Sequence, residues 1–301
     1  MKHDPNILNS QQWQISASPD GRYTLIAPNA DASSVRLLRS VPTRVWFDAN
    51  YWKDNNQIIG SNSGRGITYF IRQGASEMVL RAYLRGGMIG KWIKRSFWFG
   101  QIERTRVYRE IALLDYLYHQ GVAVPKPIAG LITRHGVFPL SVFGWVYRNS
   151  ILLEKIPQAK DFHGFLLTQN VLIEHWQALG AQIAHMHLSG VNHHDLNIEN
   201  VMLDDQGKVW LIDFDKCSWV GNASLQLIAE DNLSRLARSL RKKQRLHSGY
   251  HVSSDDWTAL LNGYIAFIEQ HPDALQLGKG EVTDFTQALS LQLAYLHIGN
   301  E

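Results

Sequence analysis

A chain of 301 residues, 45% hydrophobic and with a formal net charge of +3, is long enough for two lobes and apolar enough to fill their cores, which excludes global disorder. So small a charge gives no ground for a nucleic-acid partner, and none is expected. The single cysteine, Cys217, excludes an intramolecular disulfide framework and a cysteine-rich zinc module. Met1-Lys2-His3-Asp4-Pro5-Asn6 lacks the apolar centre of a signal peptide, and no apolar run approaches the roughly 18 residues needed to span a bilayer. A cytosolic protein, at most peripheral to a membrane, is expected.

In chain order, residues 58–72 form two apolar runs around a Gly/Ser loop, with Gly60, Gly64 and Gly66 as candidates for close approach to phosphates. Met78-Val79-Leu80-Arg81 follows, an apolar strand ending in a cation whose guanidinium can fork onto phosphate oxygens or pair with a helix carboxylate. Lys91-Trp92-Ile93-Lys94-Arg95-Ser96-Phe97-Trp98-Phe99 interleaves cations with aromatics suited to a bilayer interface. Apolar residues at helical spacing, Val107, Ile111, Leu114 and Tyr118, predict a helix. Glu110 sits beside that stripe and is preferred as the partner of Arg81 over Glu103, which precedes the periodicity. The apolar run Ile151-Leu152-Leu153-Glu154, ending before Pro157, reads as a connector. We place the boundary there, with a nucleotide-covering lobe over 1–154, a catalytic and acceptor lobe over 155–301, and Glu154 at the adenine edge.

Leu172, Trp176, Leu179, Ile183 and Met186 predict a second helix, with Gly190 as its stop. Then come His193-His194-Asp195-Leu196-Asn197-Ile198-Glu199-Asn200 and Val209-Trp210-Leu211-Ile212-Asp213-Phe214-Asp215. Short apolar runs at 200–203 and 208–212, joined by Asp204-Asp205-Gln206-Gly207, predict a hairpin. A hairpin brings its ends together, and those ends carry Asn200 and Asp213, two oxygen ligands suited to Mg²⁺ held against a nucleotide. Asp195 is the candidate acceptor of a substrate hydroxyl's proton, and His193 is expected to stiffen its loop. Asp204 and Asp205 read as turn residues in water. Helices are expected over roughly 228–245, 255–270 and 281–297. The first carries Arg235, Arg238, Arg241, Lys242, Lys243 and Arg245, a basic series able to meet acidic sugars or lipid phosphates.

Protein kinases place the same residue types in the same order, as H-R-D-L-x-x-x-N and then D-F-G, and Asn200 stands five positions after Asp195 as in that signature. Gly64-Arg65-Gly66, Val79-Leu80-Arg81-Ala82-Tyr83-Leu84-Arg85-Gly86-Gly87, Arg109-Glu110, His194-Asp195-Leu196-Asn197 and Leu211-Ile212-Asp213-Phe214-Asp215 together resemble the bacterial lipopolysaccharide kinases. The likeness runs from about Phe47 to Asp215 and is strongest to members acting on 3-deoxy-D-manno-octulosonic acid (Kdo). It implies an α+β, bilobal protein-kinase-like fold with a strand-rich N-lobe and a mainly helical C-lobe. It also implies ATP and Mg²⁺ as cofactors, and the 4-hydroxyl of Kdo on a Kdo-bearing lipid A precursor as acceptor. The place of action would be the cytoplasmic face of the inner membrane. Two other readings stay open. One is a kinase of another acceptor, such as a lipopolysaccharide heptose or a small soluble sugar. The other is an inactive kinase-like binding protein, against which the intact Asp195, Asn200 and Asp213 speak.

Overall fold

The computed structural model describes residues 8, 13–28, 38, 40–63, 67–83, 97–98, 100–135, 146–221, 225–272 and 287. The chain divides into two compact units, residues 1–116 with 125–155, and residues 117–124 with 156–301. The expectation of an α+β chain with a strand-rich first part and a mainly helical second part is met, with the longer strands in the first unit and most of the helices in the second.

The first unit is built on one antiparallel sheet. Its strands are β1 (Gln14–Ala17), β2 (Arg22–Ile26), β3 (Ile58–Ser63), β4 (Ile67–Gln73), β5 (Ser76–Ala82), β6 (Phe97–Trp98), β7 (Pro127–His135) and β8 (Val146–Glu154). They lie in the order β1-β2-β7-β8-β5-β4-β3, with β6 paired to β8. Along β5, Met78 and Leu80 are buried while Glu77, Val79 and Arg81 are half-buried, the period-two alternation of a strand with one core face. Among its described residues the unit also carries α1 (Ala49–Asp54), capped by the Asp48 carboxylate, and most of α2 (Arg106–His119). Val107, Ile111 and Leu114 of α2 are buried as their spacing predicts, whereas Tyr118, one turn further on, is exposed. Gly130 on β7 lets α2 come close, since a Cβ there would stand 2.6 Å from the Ile111 Cδ1. The indoles of Trp46 and Trp52 are buried, and their N–H groups donate to the carbonyls of Val41 and Trp46, which meets the need of a buried indole for a partner.

The second unit has the short strands β9 (Lys160–Asp161), β10 (Val191–Asn192), β11 (Val201–Leu203), β12 (Val209–Leu211) and β13 (Ser218–Trp219). Its helices are α3 (Phe162–Leu166), α4 (Ile173–Leu188), α5 (Leu225–Leu246) and α6 (Ser254–Gln270). Trp176, Leu179, Ile183 and Met186 bury the predicted stripe of α4, but Leu172 is the exposed N-cap, outside the helix. Gly190 follows α4 with φ +77°, a left-handed stop that costs glycine little. A tight crossing of α4 and α6 sets the core. A Cβ on Gly180 would fall 1.9 Å from the Leu260 carbonyl oxygen, and one on Gly263 would fall 2.1 Å from that of Gln177. α6 starts on a reciprocal cap between Ser253 and Asp256. The helix expected over 281–297 lies outside the described residues, apart from residue 287.

Candidate active site

In the first unit, β5 and α2 each contribute one charge. Arg81 donates through Nη2 to the Glu110 Oε1 at 2.5 Å, and the Tyr83 hydroxyl donates to the other carboxylate oxygen. The Glu110 side chain is 1% exposed and that of Arg81 26%. A carboxylate so buried is tolerable because both its oxygens receive donors, one of them charged. Burial foremost, and the Glu110 charge after it, push the Tyr83 hydroxyl well above its ordinary pKa, so it stays a donor. Glu103 lies exposed in a short 3-10 turn instead.

The glycines divide. Gly64 and Gly66 lie outside the described residues. Gly60 belongs to β3 rather than to a loop, at a register shift against β4 where a Cβ would stand 3.3 Å from the Phe70 ring. Glu154 ends β8 paired with Met78, its N–H donating to the Lys126 carbonyl. The next residue, Lys155, donates to the Glu77 carboxylate at 2.7 Å.

In the second unit, residues 191–213 are pinned from several directions. The expected hairpin forms, with β11 and β12 in the register Val201↔Leu211. One Asp204 oxygen accepts from the N–H groups of Gln206 and Lys208, and the other from the Trp210 indole. Asp204 thus organises the turn rather than decorating it. Past the hairpin, the Ile212 N–H donates to the Asn200 carbonyl at 3.0 Å, so the backbones carrying Asn200 and Asp213 adjoin. The Asn200 amide nitrogen donates to the Asp195 carbonyl at 2.9 Å, and that orientation makes its oxygen the group able to ligate a cation. Asp213 has φ 65° and ψ 64°, a left-handed conformation rare outside glycine and found at sites where the surroundings over-determine the backbone.

His193 is fully buried at the centre of this segment. Its Nε2 donates to the Ile212 carbonyl at 3.1 Å, its Nδ1 accepts the Asp195 N–H at 3.3 Å, and its ring packs on Phe214 at 4.9 Å. Burial lowers its pKa, which suits the neutral ring that this donor and acceptor pattern requires. Asn232 of α5 lies outside every sequence expectation. Its Oδ1 accepts the His193 N–H at 3.0 Å, and its Nδ2 donates to the Asn192 side chain at 2.7 Å. His187 Nε2 donates to the same Oδ1 at 3.2 Å, and its Nδ1 accepts from the Tyr264 hydroxyl at 3.0 Å. Nothing in the apolar spacing of α5 marks Asn232; the only signal is a polar residue on the buried stripe.

Asp195 itself is half-exposed, and Lys216 donates to its Oδ2 at 2.8 Å. Burial raises the Asp195 pKa, but the Lys216 hydrogen bond and charge outweigh it and leave the carboxyl below its ordinary value. Lys216 is a second site residue that sequence reasoning missed, although it stands three residues after Asp213. The basic series on α5 is partly engaged: Lys243 pairs with Glu199 at 2.8 Å, and Arg235 with Asp231 at 3.2 Å. Of Lys91–Phe99, only the backbone of β6 falls within the described residues.

An ionised carboxylate on a pinned loop, adjoining an amide oxygen and a second carboxylate on one hairpin, is equipment for phosphoryl transfer. Residues 49–264 match the lipopolysaccharide kinase (Kdo/WaaP) family. The chain belongs to that family. Among its relatives are 3-deoxy-D-manno-octulosonic acid kinases of Photobacterium profundum, 42% identical over 76% of this chain and 91% of that one, and of Vibrio vulnificus, 40% identical over 75% and 90%. The Haemophilus influenzae protein of the same name is 37% identical over 73% of this chain and 89% of its own. Family membership covers both units, since the matched segment includes Arg81 and Glu110 as well as Asp195, Asn200 and Asp213.

Proposed function

We propose that this protein uses ATP and Mg²⁺ to phosphorylate the 4-hydroxyl of Kdo on a Kdo-bearing lipid A precursor, at the cytoplasmic face of the inner membrane. The name shared by its relatives supports the acceptor. The observation that carries the chemistry is Asp195, a carboxylate kept ionised by Lys216 and fixed through its own backbone by His193, Asn197 and Asn200.

A sugar hydroxyl is a poor nucleophile at neutral pH. Asp195 accepts its hydrogen bond, aligns it with the phosphoryl group and takes its proton late, as the new P–O bond forms. A carboxylate of lowered pKa is a weak base, so its first contribution is alignment. Arg81, oriented by Glu110 and Tyr83, serves the nucleotide phosphates with a planar fork. The donor set at the hairpin, an amide oxygen and a carboxylate, fits Mg²⁺, which prefers hard oxygen ligands and takes few from protein. Asn200 and Asp213 would hold it, and the bound ion supplies charge neutralisation on the phosphates. Gly64 and Gly66 are assigned to the nucleotide's phosphates and Glu154 to its adenine edge. Among the described residues no helix is long and apolar enough to cross a membrane. The reading therefore has the protein meet its lipid-anchored acceptor peripherally, through Lys91–Phe99 and the basic face of α5.

The test offers labelled ATP with Kdo-bearing lipid A precursor, heptosylated core and free sugars in parallel, followed by mapping of the phosphate. Transfer to the Kdo 4-hydroxyl alone is expected. Asp195→Asn should keep ATP affinity while turnover falls roughly 10²–10⁴-fold, the usual range for a lost general base. Transfer to heptosylated core with the Kdo precursor inert would overturn the acceptor. Undiminished turnover by Asp195→Asn would remove Asp195 from the chemistry.

A further inference from the structure

Helix α5 runs alongside the catalytic loop, and three of its side chains mark the register. Asn232 meets Asn192 and His193, Ser239 accepts the Ile198 N–H at 3.3 Å, and Lys243 pairs with Glu199. These positions, i, i+7 and i+11, form one stripe of a helix. Arg235, at i+3, occupies the turn of that stripe between Asn232 and Ser239, and so stands level with residues 194–197. Its charge is among those that lower the Asp195 pKa.

The guanidinium is only partly engaged. Nη2 reaches the two Asp231 oxygens at 3.2 and 3.3 Å, long for a charge-assisted contact, while Nε is buried without a hydrogen-bond partner. The side chain is nonetheless 37% exposed. A cation that is accessible, level with the catalytic carboxylate and short of acceptors is suited to receive an oxyanion. The chemistry of the reaction calls for one. An acidic sugar brings a carboxylate on the same ring as its reacting hydroxyl, and Asp195 repels that group unless a cation offsets it.

Resting on the acceptor reading above, we infer that Arg235 is the acceptor-anion receptor of this kinase, forking onto the carboxylate of the sugar whose hydroxyl is presented to Asp195. It selects acidic sugars over neutral ones. Lys216, hydrogen-bonded to Asp195, acts on the base, whereas Arg235 acts on the acceptor.

The experiment measures kcat/KM and the KM for ATP with three acceptors: Kdo-bearing lipid A precursor, its Kdo carboxamide and its dephosphorylated form. For the wild-type chain, amidation should lower kcat/KM roughly 10- to 100-fold, the worth of a charge-assisted fork. Arg235→Met should lose a similar factor on the native acceptor, through the acceptor KM, with the ATP KM within about twofold. On the carboxamide it should lose little more, because both changes remove the same contact. Losses that multiply would overturn the inference. So would a loss that disappears with the dephosphorylated acceptor, which would make a lipid phosphate the ligand. Should Arg235→Met lose its cooperative thermal transition, Arg235→Lys decides with the same acceptors. Partial recovery on the native acceptor is expected, and wild-type behaviour on all three would sink the fork. No transfer by the wild-type chain to any Kdo acceptor fails the acceptor reading, whereas normal wild-type transfer with an unaffected Arg235→Met fails this inference alone.

Discussion

Two ion pairs stand among the candidate residues, one in each unit, and they are built on opposite terms. Arg81–Glu110 has its carboxylate 1% exposed and shared with Tyr83, while Asp195–Lys216 leaves its members 41% and 51% exposed. Removing one member of a buried pair strands an uncompensated charge, whereas an exposed pair contributes little and exchanges its partners with water. Under the proposed function, the difference follows the work each carboxylate would do. Glu110 orients a cation and need never let go, so it is sealed. Asp195, as the proposed acceptor of a substrate hydroxyl's hydrogen bond, needs a displaceable partner, and its pair with Lys216 is exposed. Fixity in the second unit comes instead from neutral groups behind the loop: His193, Asn232 and His187.

Breaking the sealed pair should give the largest effect. Glu110→Ala is expected to cost at least about 1–3 kcal/mol of stability, since it takes the acceptor from the buried Tyr83 hydroxyl and from the part-buried Arg81 guanidinium, with ATP use strongly impaired. Chemical denaturation measures the first and the KM for ATP the second. The double variant Arg81→Met, Glu110→Met sharpens the comparison. It should recover most of the stability without recovering ATP use, because apolar replacements often match a buried pair energetically but cannot bind phosphate. A double variant as unstable as Glu110→Ala would show that the pair is not what the first unit relies on.

The neutral frame behind the catalytic loop predicts a pH dependence. Burial holds His187 neutral, with its pKa lowered from 6.5 to about 4, and burial lowers His193 in the same direction. Because the unfolded chain binds the proton more readily, their contribution is complete above pH 6.5 and is lost as pH falls toward 4. For His187 the loss amounts to about 3 kcal/mol over that window. Asp195 and Glu199, lowered from their ordinary values, act only below the ordinary carboxylate range, so a decline between pH 6.5 and 5 belongs to the histidines. Stability that stays level from pH 7 to 5 would contradict a buried, neutral His187.

The parts of the site legible in the sequence are those written in short-range chemistry. The hairpin follows from two apolar runs and a turn, and Glu110 from its place beside a helical stripe. What escapes depends on chain segments far apart. Asn232 reaches His193 across 39 positions, and a polar residue inside a helical stripe carries no label of its partner. Gly180 and Gly263 read as ordinary glycines until two helices cross on them. Spacing also overshoots at helix ends, where Leu172 and Tyr118 continue a period that the packing does not use. Lys216 escapes because it lies in a short turn, where no periodicity says which way a side chain faces.

Lys216 gives the smallest and most discriminating test of the comparison. If the exposed pair acts only by keeping Asp195 ionised and in place, Lys216→Met should lower kcat/KM at neutral pH by no more than about fivefold, the scale of an exposed pair. The clearer signature is in the pH profile. The Lys216 hydrogen bond and charge depress the Asp195 pKa against the opposing effect of burial. Without them, burial is opposed only by lesser neighbouring charges, Arg235 among them, so the pKa rises and the acid limb of kcat/KM should move to higher pH. Lys216→Arg should hold the limb near its original position, since a guanidinium restores the charge. A loss of a hundredfold or more with the acid limb unmoved would reverse the assignment. Lys216 would then act on the transferring phosphoryl group, and the exposed pair in the second unit would serve binding no less than the sealed pair in the first.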